Sequence, residues 1–432
     1  MASRSKILSL SAVIVFAVVA PISADQAVPS APPARLLASV EYLTGTYRVT
    51  TAEAMRRLRL QGDVDALDRR MAAALPNQYA GVWMDQGHGG VLVAAATDPE
   101  RLRAVVARLP HRDEIQVVPA RYSLRELKRV HGQTQRAIST AGSTASAVVD
   151  VPANSVTVWA DPDALTPAVA RLAGGPVRVT TREAGITTQC IPSDCDPPMR
   201  GGLAVDMVAT RTGPPLAACT SGFNLTNAAG DLFITLAGHC FTKNPTAQFA
   251  RHNGRAVGKR TGAVFNDVYP LDYAIAPASR KPHWFPPGLP RNTVYFQCVA
   301  PSPSPCADVN NNPLFAITGL RSYSNVTLGL VVCMSGASPL TIEQGTRCGE
   351  VLAKDGGIKT NICVKQGDSG SPLFDQITRQ AIGLAQRAGA GSPTLGICKP
   401  VAEQSYTSFF SPLSAALSDA NMNGGTYQLI TN

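Results

Sequence analysis

The chain has 432 residues and a formal net charge of +9, from 39 Lys and Arg against 30 Asp and Glu. Charged residues make up 16% and hydrophobic ones 45%, with 36 glycines and 33 prolines but no Gly-X-Y period; a disordered polyelectrolyte, a coiled coil and a collagen are excluded. The positive charges are scattered and not interleaved with aromatics, so nucleic acid is not an expected partner.

Arg4 and Lys6 precede an apolar run from Ile7 to Ala20, and Pro21-Ile22-Ser23-Ala24 follows. This layout predicts a signal peptide over residues 1–24 and a secreted, extracellular product, with no membrane association once the signal is removed. The run is too short for a permanent span. Residues 25–38 are rich in Pro and Ala and predict a flexible segment. Thr50-x-x-Glu53 predicts a capping box ahead of a helix over 54–74, with Met55, Leu58, Leu67 and Met71 near helical spacing. Strands are predicted over 79–84 and 91–96 about a Gly-rich turn, then a helix from Asp98-Pro99 to Leu109, a strand over 114–120 and a helix over 123–137. Beyond a Ser/Thr/Ala/Gly linker over 139–147 the pattern recurs: strands over 148–151 and 155–160, Asp161-Pro162, a helix to Leu172 and a strand over 177–181. Two small repeated α+β subdomains, about 50–138 and 148–185, are expected. His88, His111 and His131 stand singly and read as surface residues.

From Met199 the texture changes. Short apolar runs at 232–237, 248–250, 272–276, 293–297, 315–318, 327–332 and 381–385 alternate with turn residues, and helical period returns only at 412–417. That spacing predicts an all-β barrel or sandwich. All ten cysteines lie between Cys190 and Cys398. In an exported chain an even count predicts disulfides, and the spacings suggest local pairs: Cys190–Cys195, Cys219–Cys240, Cys298–Cys306, Cys333–Cys348 and Cys363–Cys398. None has zinc-site spacing, and neither a metal nor another cofactor is expected. A cysteine-free first half ahead of a cross-linked second half is the pattern of a transient pro-segment, 25–190, preceding a durable secreted domain, 199–432.

Three segments carry candidate chemistry: Thr235-Leu236-Ala237-Gly238-His239-Cys240, Leu271-Asp272-Tyr273-Ala274-Ile275-Ala276 and Gln366-Gly367-Asp368-Ser369-Gly370-Ser371-Pro372. A serine hydroxyl needs an adjacent base to act as a nucleophile at neutral pH. Histidine takes that proton and returns it to a leaving amine, and a carboxylate behind it fixes the tautomer. No histidine follows His283, so the His-after-Ser order of an α/β-hydrolase is excluded and the order His…Asp…Ser remains. His252 and His283 lie in Gly/Pro-rich loops and read as solvated; His239, beside a cysteine at a strand end, is the expected base. Asp267 reads as a turn residue, whereas Asp272 sits in an apolar strand and needs a partner, which makes it the expected acid. Asp368 equally needs a buried partner, which the sequence does not identify. Asn224-Leu225-Thr226 and Asn325-Val326-Thr327 match glycosylation acceptors and read as turns.

With these motifs in place, residues 199–432 resemble the chymotrypsin fold of trypsin-like serine peptidases, and within it the bacterial streptogrisin/α-lytic branch. Cys219-Thr220-Ser221-Gly222-Phe223 with Ala237-Gly238-His239-Cys240, Val332-Cys333-x-Ser335-Gly336 with Cys348-Gly349, and Cys363-x3-Gly367-Asp368-Ser369-Gly370 carry the resemblance. Residues 50–185, notably Tyr79-Ala80-Gly81-Val82-Trp83, resemble that branch's pro-segments. The resemblance implies an all-β domain of two six-stranded antiparallel barrels with the site between them. It implies Ser369 as nucleophile, His239 as base, Asp272 as orienting acid, and the Gly367 and Ser369 N–H groups as an oxyanion hole. It also implies a monomer acting on protein or peptide substrates, and a pro-segment that assists folding, occupies the cleft and is cut off between Thr180 and Gly201. Gln386-Arg387-Ala388 falls where the family has Ser-Gly-Gly on the substrate-binding strand. Either these residues narrow the primary pocket, with Arg387 at its rim favouring acidic side chains, or a gap sets Ala388-Gly389 at its mouth. A catalytically inactive homologue serving as a binding module is the alternative reading.

Overall fold

The computed structural model describes residues 32–33, 36–143, 145–160, 166–181, 199–259, 264–266, 270–278, 281–285, 291–295, 314–338, 345–389, 398 and 406–432. The expected signal peptide, Asp267 and the Cys190–Cys195 and Cys298–Cys306 pairs lie outside the described residues.

Helix α1 (Leu37–Tyr47) takes in the last two residues of the expected flexible segment and otherwise stands where the sequence points to no element. Burial of Leu36, Val40, Tyr42 and Leu43 against other elements holds it; most helical stability in proteins comes from such packing. Thr50 caps α2 (Thr51–Ala74) by accepting from Glu53 N at 3.2 Å. The Glu53 carboxylate turns to Arg56 and Arg57, so the expected capping box is half formed. Strands β1 (Tyr79–Asp85) and β2 (Val91–Ala96) pair antiparallel, and α3 (Pro99–Val106) returns the chain to β3 (Ile115–Pro119), parallel to β2. Helix α3 ends short of Leu109 because the last turn tightens to i→i−3 bonds ahead of Pro110. Helix α4 (Leu124–Thr140), with a complete Ser123–Glu126 capping box, leads to β4 (Ser146–Asp150), β5 (Ser155–Ala160), α5 (Pro167–Ala170) and β6 (Val177–Thr181). Here β4–β5 is antiparallel and β5–β6 parallel, so the two three-stranded sheets share one order and sense.

From β7 (Ala204–Val208) the chain is mostly β. Strands β8 (Pro215–Thr220), β9 (Asn224–Thr226) and β10 (Leu232–Leu236) precede a short helix α6 (His239–Thr242). Then come β11 (Phe249–His252), β12 (Arg255–Lys259), β13 (Val264–Asn266), β14 (Tyr273–Pro277), a turn of helix α7 (Lys281–Trp284) and β15 (Thr293–Tyr295). The sheets β12-β11-β7-β8 and β13-β14-β10-β9 meet at both margins. A Gly258–Ala278 bridge joins one, and the Gly222 N→Thr235 O and Thr235 N→Phe223 O bonds carry β8 into β9 at the other. Met207, Ile234, Phe241, Val257 and Trp284 fill the space between.

The second half adds β16 (Leu314–Ala316), β17 (Gly319–Leu320), β18 (Val331–Gly336), β19 (Gly345–Lys354), β20 (Ile358–Thr360), β21 (Pro372–Phe374), β22 (Gln380–Ala388), β23 (Ser408–Pro412), α8 (Leu413–Met422) and β24 (Gln428–Leu429). Strands β22-β21-β18-β19-β20-β23 form a barrel closed by the β22–β23 ladder. Strand β18 starts four residues later than predicted. Gly329 (φ +77°) turns the chain, and the Met84 carbonyl occupies the place a side chain would take.

Residues 36–119 pack directly on this closed barrel. One apolar cluster joins Leu60, Val64 and Met84 to Val326, Leu330, Val351 and Ile358. The buried Gln61 amide accepts from Val331 N (2.9 Å) and donates to Val331 O (3.0 Å), completing a stretch of β18 that has no strand partner on that side. We expect Gln61→Leu to lower unfolding free energy in urea by about 1–3 kcal/mol, since it strands a buried peptide N–H and C=O; no loss would show that these groups find other partners.

The buried Glu350 carboxyl accepts from Tyr42 Oη (2.7 Å) and Tyr47 Oη, and Asn361 Nδ2 donates to Tyr42 Oη. Burial raises its pKa above the ordinary 4.5, Asp85 adds to the rise, and the tyrosine bonds and Arg57 oppose it. The folded state therefore keeps a proton that the unfolded chain has lost: the contribution is full below pH 4.5 and fades as pH rises through the raised value. Glu350→Gln should match wild type in thermal stability at acidic pH and exceed it increasingly towards pH 7. A constant offset across that range would contradict this.

Candidate active site

Helix α6 begins at His239, one residue past Gly238, where β10 has ended; Cys240 is disulfide-bonded to Cys219 of β8. Asp272 immediately precedes β14, which pairs with β10, so the strand ladder brings acid and histidine side by side. The carboxylate is 1% exposed; Oδ1 accepts from His239 N (2.9 Å) and Oδ2 pairs with His239 Nδ1 (2.6 Å). Two bonds to one residue fix the ring plane. With Nδ1–H donating to the carboxylate, Nε2 is the accepting nitrogen. It lies 2.8 Å from Ser369 Oγ. The expected base, acid and nucleophile thus come together, with the histidine and serine still partly open to solvent.

Ser369 stands on a turn before β21, between Gly367 (φ +108°) and Gly370 (φ +90°), conformations that glycine adopts without strain. The N–H groups of Gly367 and Ser369 donate to no acceptor among the described residues. The partner Asp368 requires is Arg347. Its guanidinium lies 2.7 Å from the fully buried carboxylate, which also accepts from Lys365 N (2.8 Å) and Ser338 N (3.3 Å). Gly336 has no side chain because Asp368 and Arg347 meet where one would stand.

Gln386, Arg387 and Ala388 form the end of β22. Ala385 donates to Ser371 O and accepts from Gly370 N, which places these three residues just beyond the serine turn. Gln386 sits at a register shift, nearly buried, with Oε1 unpaired. The Arg387 guanidinium lies 4.6 Å over the Phe409 ring on β23. Past that shift the ladder to β23 resumes, pairing Arg387 with Phe409 and Ala388 with Ser408.

Among the remaining histidines, His252 departs from its predicted solvated setting: it is 1% exposed, and its Nδ1 contacts Ala204 O at 2.6 Å where β11 lies beside β7. His283 sits beside Arg255 and against Trp284. His111, between Asp63 and Glu114, and His131, on Ala147 O, are half-buried and not simply surface residues. Asn224 lies inside β9 with its amide buried against Met199 O and Arg291 O, so it is not a turn residue and offers no free acceptor nitrogen. Three expected disulfides are formed, Cys219–Cys240, Cys333–Cys348 and Cys363–Cys398.

Three polar residues around the site carry no sequence signal strong enough to single them out: Arg347, Thr220 and Ser411, whose Oγ accepts from Asp272 N at 3.1 Å. The demand of Asp368 for a buried partner is met by one of them, Arg347, which the sequence does not single out.

No sequence-family profile matches the chain. It is similar to solved structures of bacterial proteases. One is the Nocardiopsis protease NAPase, 20% identical over 54% of this chain and 100% of that one, with a TM-score of 0.34. Another is the alpha-lytic protease homolog N4, 20% identical over 52% and 97%, with a TM-score of 0.33. A third is the HtrA-type protease AlgW with a tripeptide, 15% identical over 50% and 57%, with a TM-score of 0.28.

Proposed function

We propose that the chain is a secreted serine endopeptidase made as a zymogen. The observation that carries this reading is the relay from buried Asp272 through His239 to Ser369, with bonds of 2.6 and 2.8 Å. Ser369 Oγ attacks the scissile carbonyl carbon while His239 Nε2 takes its proton. The carbonyl oxygen becomes an oxyanion that accepts from Gly367 and Ser369 N–H, two donors without partners among the described residues. Collapse breaks the C–N bond as the imidazolium returns the proton to the amine, leaving an acyl-serine. Water, deprotonated by His239, then releases the acid. Asp272 stabilises the imidazolium in both halves.

Residues 25–190 act in this reading as the pro-segment, with two repeated subdomains within it, and the closed barrel with its partner sheets as the two-barrel peptidase. The apolar cluster shared by α2, β1 and the barrel supports a folding role. The paired cysteines support an extracellular setting. Among the described residues no helix is long and apolar enough to cross a membrane.

Hydrolysis of an unfolded protein by purified wild type, absent from Ser369→Ala, tests the reading; intact substrate with both would favour an inactive homologue that binds peptides. Gln386, Arg387 and Ala388 form the substrate strand in this account, with Arg387 near the cleaved side chain. Peptides with Glu, Phe or Ala at that position should be ranked by kcat/KM with Glu first, and Arg387→Ala should lower the Glu peptide most. Glu as the poorest substrate would contradict the assignment.

A further inference from the structure

Thr220, the last residue of β8, is fully buried where the two β modules meet. Its hydroxyl donates to Gly367 O at 2.5 Å and accepts from Ala337 N at 3.2 Å, while its own N–H donates to Ser369 O at 2.8 Å. One residue thus holds the carbonyls on either side of Asp368. This matters most at Gly367. With φ +108° and no side chain, the Gly367 backbone is easily turned, and the bond to its carbonyl oxygen fixes the Gly367–Asp368 peptide and through it the backbone that carries the Gly367 N–H. Asp368 and its partners anchor the turn from the other side. The approach is close: Thr220 O occupies the place a side chain on Gly370 would take. Thr220 is also next in sequence to Cys219, whose disulfide reaches Cys240 beside His239. The strand end that steadies the base therefore also steadies the donor pair.

We propose that Thr220 is a positioning residue for the oxyanion: its hydroxyl aligns the Gly367 N–H with that of Ser369. The inference rests on the serine peptidase reading. A misaligned donor loses transition-state stabilisation and leaves substrate binding nearly untouched, so the effect falls on kcat.

The test compares wild type with Thr220→Val, which keeps the shape and removes the hydroxyl, Thr220→Ala, which removes it without adding a methyl, and Thr220→Ser, which retains it. Active sites are counted by labelling to completion with a fluorophosphonate, so misfolded protein does not enter the rate. Thr220→Val and Thr220→Ala should lose about tenfold or more in kcat with KM within about threefold, and affinity for a peptide boronic acid should fall in step with kcat. Thr220→Ser should stay within about threefold of wild type in both. An unchanged kcat in Thr220→Val, a loss in Thr220→Ser equal to that in Thr220→Val, or a loss carried by KM would overturn the proposal. Wild type that neither labels nor cleaves would overturn the peptidase reading itself.

Discussion

Asp272→Asn should lower kcat by about 10⁴-fold with KM little changed, and Ser369→Ala should reduce kcat by about 10⁶-fold. The asparagine fills the same space, so the comparison isolates chemistry. The carboxylate accepts twice from His239, through the backbone N–H and through Nδ1–H. An amide has one accepting oxygen. If that oxygen stays with the backbone, the amide NH2 faces Nδ1, and the ring is forced into the tautomer that carries its proton on Nε2. That nitrogen then donates towards Ser369 and no longer takes its proton. The serine keeps its place and loses its base. Rates with a peptide anilide across pH 5–10 would show it: the loss should be largest near neutral pH and shrink at high pH, where hydroxide substitutes for the missing base. Activity of Asp272→Asn within tenfold of wild type would mean that the buried carboxylate orients nothing.

Arg347→Met should be the most damaging change away from the reacting atoms. It removes the cation beside a carboxylate that is fully buried one residue before the nucleophile. Breaking a buried ion pair from one side costs about 3–5 kcal/mol, because the remaining charge is left desolvated. Two peptide N–H groups, of Lys365 and Ser338, still serve Asp368, and they limit the loss without replacing a charge. Because Asp368 lies between Gly367 and Ser369, activity should fall with stability. Asp368→Asn on the Arg347→Met background should recover part of the stability, since it removes the orphaned charge, and the double-mutant cycle should show coupling of at least about 1 kcal/mol in urea unfolding. Strict additivity would show that the pair does not act as a unit.

What the sequence made legible follows from how local each signal is. Alternating apolar runs placed β10, β14 and β22 to within one to three residues. Asp98-Pro99 and Ser123 marked two helix starts because capping chemistry is local. His239, Asp272 and Ser369 stood out because each sits in an unusual setting: beside a cysteine, in an apolar strand, between glycines. The misses are long-range effects. Helix α1 exists because Val40, Tyr42 and Leu43 find a barrel surface supplied by residues some 300 positions later. His252 reads as a loop residue in sequence and is buried because it ends β11, which pairs with β7 in the same sheet. Residues 327–330 have a strand's apolarity and turn aside to meet β1, where Met84 N donates to Leu328 O. Thr220, Arg347 and Ser411 are ordinary residues in sequence; Thr220 and Ser411 become significant through bonds across the two β modules, and Arg347 through its pair with Asp368 within the closed barrel.

The central claim is that Ser369 is an activated nucleophile. It is tested most directly by the intact mass of the purified, disulfide-bonded protein before and after treatment with a fluorophosphonate, with Ser369→Ala alongside. One adduct is expected per wild-type molecule, and none on Ser369→Ala. Wild type that remains unlabelled, or Ser369→Ala that takes up the same adduct, would contradict it.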